Sequence, residues 1–250
     1  MFTQAPNQLS AADALKQLKK ERDRYWEHAC NEVYRSAREL LAQHEDEKER
    51  GVRLAKLIHG NSGRRELALT FDDGPHPKFT PRLLAILARY KIPATFFVVG
   101  ERAEQYPALI RAEVTQGHMV ANHTYHHVSL IKIPPELVAD EIDACGDVIQ
   151  NVLGYKPRWF RPPGGEYNAE VAKISERLGY TMALWTDDPG DYASPGTRVI
   201  LQRTLARATP GGILLLHDGI EQTIQILPQI IESLQGQGYK FVSLKRLAQP

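Results

Sequence analysis

Apolar residues in the first part of the chain recur with a three-four spacing: Leu15, Leu18, Trp26, Cys30, Val33, Ala37, Leu40 and Leu41. Side chains three and four apart share one face of a helix, so this spacing predicts an amphipathic helical stretch within residues 9–58, which contain no proline. The charged block His44-Glu45-Asp46-Glu47-Lys48-Glu49-Arg50 interrupts the stripe, and Gly51 offers a break. A short helix is expected around Leu54 to Ile58, then a turn at Gly60-Asn61-Ser62-Gly63. An amphipathic stripe usually faces its own core, so the expectation is that these helices pack on the main domain. Self-association, another partner surface and a membrane-proximal stalk are the alternatives.

From Leu67 the pattern changes to short apolar runs separated by helical ones. Strands are predicted at 67–71, 94–99, 118–121, 158–160, 181–185, 212–216 and 240–242. Helices are predicted at 81–90, 106–116, 135–153, 169–178, 198–208 and 223–235. Strand and helix in alternation imply a parallel sheet. Polar, chemically active residues follow the strands directly: Asp72 and Asp73, His123 and His127, Arg161, Asp188 and Asp191, His217. A β/α barrel gathers such strand ends at one mouth, whereas an open sheet spreads them along a row. The expected architecture is therefore an α/β barrel over residues 61–250, with a helical N-terminal extension over residues 1–60.

Composition changes this picture little. The chain has 250 residues, 42% of them hydrophobic, and a formal net charge of +1, so total charge gives no case for nucleic-acid binding. Two cysteines, Cys30 and Cys145, make at most one bridge and are not a scaffold. No apolar run approaches the roughly 18 residues that a membrane span needs. No basic start followed by an apolar stretch is visible, which leaves a cytoplasmic protein and one with a leader further upstream both open.

Five segments carry candidate chemistry. In Thr70-Phe71-Asp72-Asp73-Gly74-Pro75, two adjacent carboxylates serve one site only if the strand ends there and the chain turns, which Gly74-Pro75 favours. A bound cation would relieve their mutual repulsion; an exposed Asp-Gly turn is the plain alternative. In Asn122-His123-Thr124-Tyr125-His126-His127, His123 and His127 are four apart and would share a face on a helical turn, able to grip one metal. A zincin would carry glutamate after the first histidine; here it is Thr124, so a base must come from elsewhere, with Asp72 the available candidate. Arg161 precedes Pro162-Pro163-Gly164-Gly165 and is suited to hold a carboxylate by two parallel hydrogen bonds, with the glycines allowing close backbone approach. Trp185-Thr186-Asp187-Asp188-Pro189-Gly190-Asp191-Tyr192 offers orienting carboxylates. The apolar run Ile213 to Leu216 ends in His217, the residue type most used as a general acid near neutral pH. Each segment alone also reads as an ordinary turn or strand end. No Gly-x-Ser-x-Gly is present, which disfavours a serine esterase.

Together the five segments resemble the polysaccharide deacetylases of carbohydrate esterase family four, the NodB homology domain, in that family's motif order over residues 65–247. Thr70 to Pro75 matches T-F-D-D-G-P completely, His123 to His127 matches H-[ST]-x-x-H, and Arg161 to Gly165 matches R-P-P-x-G. The resemblance implies a distorted (β/α)7-type barrel. It implies one divalent metal, Zn2+ or else Co2+ or Ni2+, held by Asp73, His123 and His127. It implies Asp72 as general base, His217 as general acid, and Arg161 and Asp191 as the residues that orient them. It implies a substrate groove formed by Leu215 as the wall of an acetyl-methyl pocket, the Gly164 backbone N–H as an oxyanion donor, Tyr192 and Trp185. Two positions depart from the family pattern: Gly164 stands where tyrosine is frequent, and Tyr192 where tryptophan is usual. The implied activity is removal of acetyl groups from N-acetylglucosamine units of an acetylated glycan, outside the cytoplasm. An O-acetyl esterase acting on acetylated xylan and a catalytically silent carbohydrate-binding module are the competing readings.

Overall fold

A computed structural model of the chain describes residues 35–249. The predicted apolar positions from Leu15 to Val33 lie outside the described residues. Helix α1 (Ala37–Glu49) opens on a capping box: the Glu39 N–H donates to Ser36 Oγ and the Ser36 N–H to Glu39 Oε2 at 2.7 Å, so two end donors are satisfied reciprocally. Its Leu40 is fully buried in the barrel core, with Ala37 and Leu41 packed beside it. The helix therefore packs on the main domain.

Residues 54–58 do not form the expected short helix. They supply strand β1 (Lys56–Leu57), which pairs in parallel with β6 (Thr181–Ala183). Met182 N–H donates to Ala55 O at 2.8 Å and Leu184 N–H to Leu57 O at 2.9 Å. Five residues, four of them apolar, have no decisive period, and here the exposed ladder groups of β6 supply partners that an isolated helical turn lacks. A boundary at residue 60 thus cuts off a strand that belongs to the sheet.

The remaining strands are β2 (Glu66–Gly74), β3 (Thr95–Val98), β4 (Met119–Asn122), β5 (Trp159–Phe160), β7 (Gly212–His217) and β8 (Lys240–Phe241). All pairings are parallel, in the order β1-β6-β5-β4-β3-β2-β7, with β8 on the first residues of β2. The chain beyond β6 then meets β7: Asp187 pairs with Leu214, and the Leu215 N–H donates to Asp187 O at 2.9 Å. That bridge closes the ring at the carboxyl ends, while β1 fills the gap at the opposite ends, where the Gly60 N–H reaches Gly211 O at 2.7 Å. The result is the distorted barrel expected from the sequence.

The predicted helices appear as α2 (Thr80–Tyr90), α4 (Pro107–Thr115), α5 (Pro135–Leu153), α6 (Ala169–Arg177), α7 (Thr197–Arg207) and α8 (Glu221–Gly236). Two short helices were not expected: α3 (Gly100–Gln105) and α9 (Leu244–Leu247). Neither is long enough to show a hydrophobic period. Helix α3 starts at Gly100 for a packing reason: a Cβ there would sit 2.6 Å from the Tyr125 ring and 3.1 Å from Cys145 Cα.

Strand alternation divides the core in two. Leu67, Leu69 and Phe71 of β2 face the outer helices with Phe96, Leu214 and Leu216. Ala68 faces the barrel interior with Phe97, Ala121, Ile213 and Leu215. Among the described residues, no helix is long and apolar enough to cross a membrane.

Candidate active site

The interior parity of β2 carries on from Ala68 to Thr70 and Asp72. β7 pairs with β2 in parallel, with Thr70 opposite Leu215 and Asp72 opposite His217. Paired residues on adjacent strands point to the same face, so register alone brings Asp72 and His217 together at the barrel mouth. Asp73 would point the other way on a continuing strand. It adopts φ +69°, a left-handed conformation uncommon outside glycine, and the strand ends on the cis Gly74–Pro75 peptide. The turn redirects Asp73 toward the same site.

His123 and His127 meet there, but not on a helical turn. The segment is an irregular loop in which Thr124 (φ +65°) and His127 (φ +58°) are both left-handed. Thr124 Oγ accepts from the His127 N–H at 3.0 Å, and Asn122 Oδ1 from the Thr124 N–H at 2.9 Å. These side-chain bonds replace the ladder a helix would have supplied. His126, the histidine between them in sequence, instead faces Glu141 of α5, with Nδ1 2.6 Å from Oε1. The main-chain N–H of His126 donates to the other Glu141 oxygen at 2.9 Å.

Three buried side chains converge. His127 Nε2 lies 2.9 Å from Asp73 Oδ1, His123 Nε2 3.5 Å from the same oxygen, and the two Nε2 atoms are 3.2 Å apart. His123 Nδ1 is 2.8 Å from Arg161 O, and a carbonyl only accepts, so the hydrogen is on Nδ1 and Nε2 presents a lone pair. That lone pair faces a carboxylate oxygen which, although buried, receives no well-directed hydrogen bond. Lone pairs converging in a dry site are unfavourable unless a cation lies between them. The donor set therefore fits a divalent ion, and two imidazoles with one carboxylate are suited to zinc.

Arg161 is fully buried, stacked 4.0 Å over the Phe97 ring. Its Nη1 donates to Asp72 Oδ1 at 2.7 Å and to Thr70 Oγ at 2.9 Å. Its Nε and Nη2 donate to the carbonyls of Ala183 and Leu184 at 2.9 and 3.2 Å. The expected two-bond grip on a carboxylate is thus a single bond to Asp72, because the other donors are drawn to the barrel backbone. Asp72 Oδ2 is left 3.6 Å from His123 Nε2.

His217 Nδ1 lies 2.7 Å from Asp191 Oδ1, and its main-chain N–H donates to Asp191 Oδ2 at 2.8 Å. Thr223 Oγ adds a 2.5 Å bond to Oδ2. Burial opposes a charge on His217, yet Asp191 overrides it and pushes the imidazole pKa up to about 10. The Tyr192 ring stands edge-on to His217 at 5.3 Å. Leu215 is buried on the interior face two residues before His217. Gly164 and Gly165 are both left-handed, at φ +61° and +69°. A Cβ on Gly165 would lie 2.6 Å from the Trp185 ring, which is itself 1% exposed. Trp185 therefore lies beneath the glycine turn, not in the open groove.

Three supporting residues were not assigned a role from sequence. Glu141 holds the histidine loop, and its signal was a carboxylate on the apolar stripe Val138-Ile142-Cys145 of α5. Thr223 anchors Asp191 and carries no local signal. Asp218, beside His217, accepts from Thr80 Oγ, and its N–H donates to Asp72 O at 2.8 Å. A Cβ on Gly74 would come within 2.8 Å of its Oδ2. Burial pushes the Asp218 carboxyl up to about 7, with Thr80 opposing.

Residues 59–183 match the family model described as polysaccharide deacetylase. The chain is 38% identical over 186 residues to a peptidoglycan-N-acetylglucosamine deacetylase of Bacillus cereus, covering 72% of this chain and 87% of that one. It is 38% identical over 201 residues to a chitooligosaccharide deacetylase of a Bradyrhizobium strain, covering 74% and 92%. The solved structure of the Bc1960 peptidoglycan N-acetylglucosamine deacetylase superposes with a TM-score of 0.77 at 30% identity, over 81% of this chain and 95% of that one. BA3943 of Bacillus anthracis, described as a pseudoenzyme of carbohydrate esterase family four, superposes with a TM-score of 0.75 at 29% identity, over 78% and 69%. This chain belongs to the polysaccharide deacetylase family.

Proposed function

We propose that the protein is a metal-dependent N-deacetylase acting on N-acetylglucosamine units of a glycan. The observation that carries this reading is the convergence of a buried Asp73-His123-His127 donor set with Asp72 and His217 on one barrel face. Relatives named for peptidoglycan and chitooligosaccharide deacetylation support the substrate class. The fold alone does not decide activity, since a pseudoenzyme shares it. The complete set of acid, base and metal ligands argues for a working enzyme.

A divalent ion, with zinc the best match and cobalt or nickel able to replace it, would be held by Asp73, His123 and His127 and would supply Lewis acidity toward an acetamide carbonyl and a water. Asp72, held by Arg161, takes a proton from the water that attacks the carbonyl carbon. The Gly164 N–H steadies the developing oxyanion. His217 enters the cycle as imidazolium and gives its proton to the departing nitrogen as the C–N bond breaks. Asp191 keeps the His217 tautomer fixed and its charge favourable. The products are acetate and a glucosamine unit. Leu215 walls the methyl group, Tyr192 flanks the acid, and Trp185 backs the glycine turn. In this reading residues 61–250 carry the chemistry, and α1 with β1 completes the barrel. The relatives' substrates also support a site of action outside the cytoplasm.

Mass spectrometry of products from acetylated chitooligomers and acetylated xylan, with zinc added, tests the reading. Free amines are expected from the chitooligomers; hydroxyls freed from xylan with no amines from either substrate would overturn it in favour of an O-esterase. Asp72→Asn should lower kcat/KM by roughly 10²–10⁴ while bound metal stays constant by elemental analysis. Full activity in that variant would remove Asp72 from the role of base.

A further inference from the structure

Beside the site lies a second feature that the deacetylation chemistry does not use. A groove of about 620 Å³ runs from Tyr192 across the turn after β6 to the start of α1. That volume lies within the range of small-ligand sites. Three arginines line it: Arg38 from α1, and Arg203 and Arg207 from α7. Arg203 and Arg207 are four apart, so they project from one face of the helix. Each is held over the turn by main chain: Arg203 Nη1 donates to Pro189 O at 3.0 Å, and Arg207 Nη1 to Asp188 O. A carbonyl uses only one of the five N–H donors of a guanidinium and cancels none of its charge. Among the described residues, none of the three arginines forms a salt bridge with a carboxylate.

The acidic groups nearby, Asp187 and Asp188, are fewer than the three arginines. Asp188 lines the groove, and its Oδ1 accepts from the Gly190 N–H at 2.8 Å. Asp187 is buried beneath it at 2% exposure. Burial raises the pKa of both carboxyls, opposed at Asp187 by Arg207 and at Asp188 by His217 and the Gly190 N–H. The groove therefore offers an excess of directed cationic donors. It is joined to the reaction site through Tyr192, which lines the groove and whose ring lies 5.3 Å from that of His217.

We infer that this groove is a subsite for a carboxylate carried by the glycan next to the reacting sugar, so that the protein prefers acidic glycans over neutral ones. The inference rests on the deacetylase reading for the position of the reacting sugar. A planar guanidinium matches a carboxylate by paired hydrogen bonds, and two on one helix face fix its place as well as its charge.

The zinc-loaded full chain is assayed on two substrates: a neutral N-acetylglucosamine oligomer, and an oligomer in which N-acetylglucosamine alternates with a carboxylate-bearing sugar. The expected result is a lower KM on the acidic oligomer, with raised salt eroding that advantage because exposed charges are screened. In Arg203→Gln/Arg207→Gln the acidic-to-neutral KM ratio should rise about tenfold with kcat little affected, the size of one lost charge-assisted pair. Because the double variant also gives up bonds to the turn, Arg38→Glu serves as the second probe; no bond to the turn is lost with it. Its ratio should move the same way. Equal KM values on the two substrates in the wild type, or a ratio that neither variant moves, would overturn the subsite. If neither oligomer yields free amine, the deacetylase reading fails instead. Calorimetric binding of the acidic against the neutral oligomer then still decides the groove: tighter acidic binding lost in Arg38→Glu supports it, and equal binding refutes it.

Discussion

At the scale of residues, the site is held together by conformations the chain would otherwise avoid. Asp73 and His127 are metal-ligand candidates at positive φ, and Thr124 is a β-branched residue in the same region. Each such position costs on the order of 1–3 kcal/mol and persists only where its surroundings over-determine it. Here the surroundings are specific: Asn122 and Thr124 bond the histidine loop from within, and Glu141 holds it from α5. His217 shows the same dependence on a neighbour. Its raised pKa comes from Asp191, acting against burial. In the proposed role of general acid His217 must be protonated to act, so activity is expected to be lost as pH rises through its pKa. Asp191→Asn should therefore move the basic limb of the kcat/KM profile to lower pH and reduce the plateau. A limb that stays in place would show that Asp191 does not set the protonation of His217.

At the scale of elements, the carboxyl ends of the strands do the positioning. The in-register pairing of β2 with β7 puts Asp72 and His217 side by side, and a slip of one residue would turn either away. Helices contribute mainly by closing the outer face. Helix α2 ends at Lys91, exposed and left-handed at φ +53°. Glycine takes that conformation without the Cβ clash. Lys91→Gly should raise stability by about 1 kcal/mol, which is about 2–4 °C in melting temperature for a chain of this size. A lower melting temperature in that variant would contradict the cap assignment. The sequence made α2 legible through its period, whereas α3 and β1 are too short to carry one.

At the scale of the whole molecule, residues 37–58 are part of the barrel, not an appendage. β1 pairs with β6, and α1 buries Leu40 against the same core that supports Phe97 and Leu215. A buried ion pair between Glu47 of α1 and Lys56 of β1, with Tyr167 alongside, ties both to the loop that follows Gly165. Leu40→Ala should destabilise the fold by about 2–5 kcal/mol. Urea unfolding followed by activity and by circular dichroism should still give one shared transition. Two separate transitions would mean that α1 is an independent unit.

Periodicity and turn residues are local, so the alternation of strands and helices, the parallel sheet and the five segments of candidate chemistry were all legible in the sequence. The sequence also placed the candidate metal ligands, base and acid at strand ends, where Gly74-Pro75 and the end of an apolar run mark a stop. How those residues meet depends on long-range packing. The histidine pair joins through a strained loop, not a helical face, because Glu141 and Asn122 hold it from elements distant in sequence. Arg161 gives Asp72 one bond instead of two, because barrel carbonyls compete for its other donors. Trp185 is turned inward under Gly165, and the arginine-lined groove exists only because α7 and α1 converge on one turn. Local pattern sets which residue types are available; long-range packing sets which of their atoms face one another.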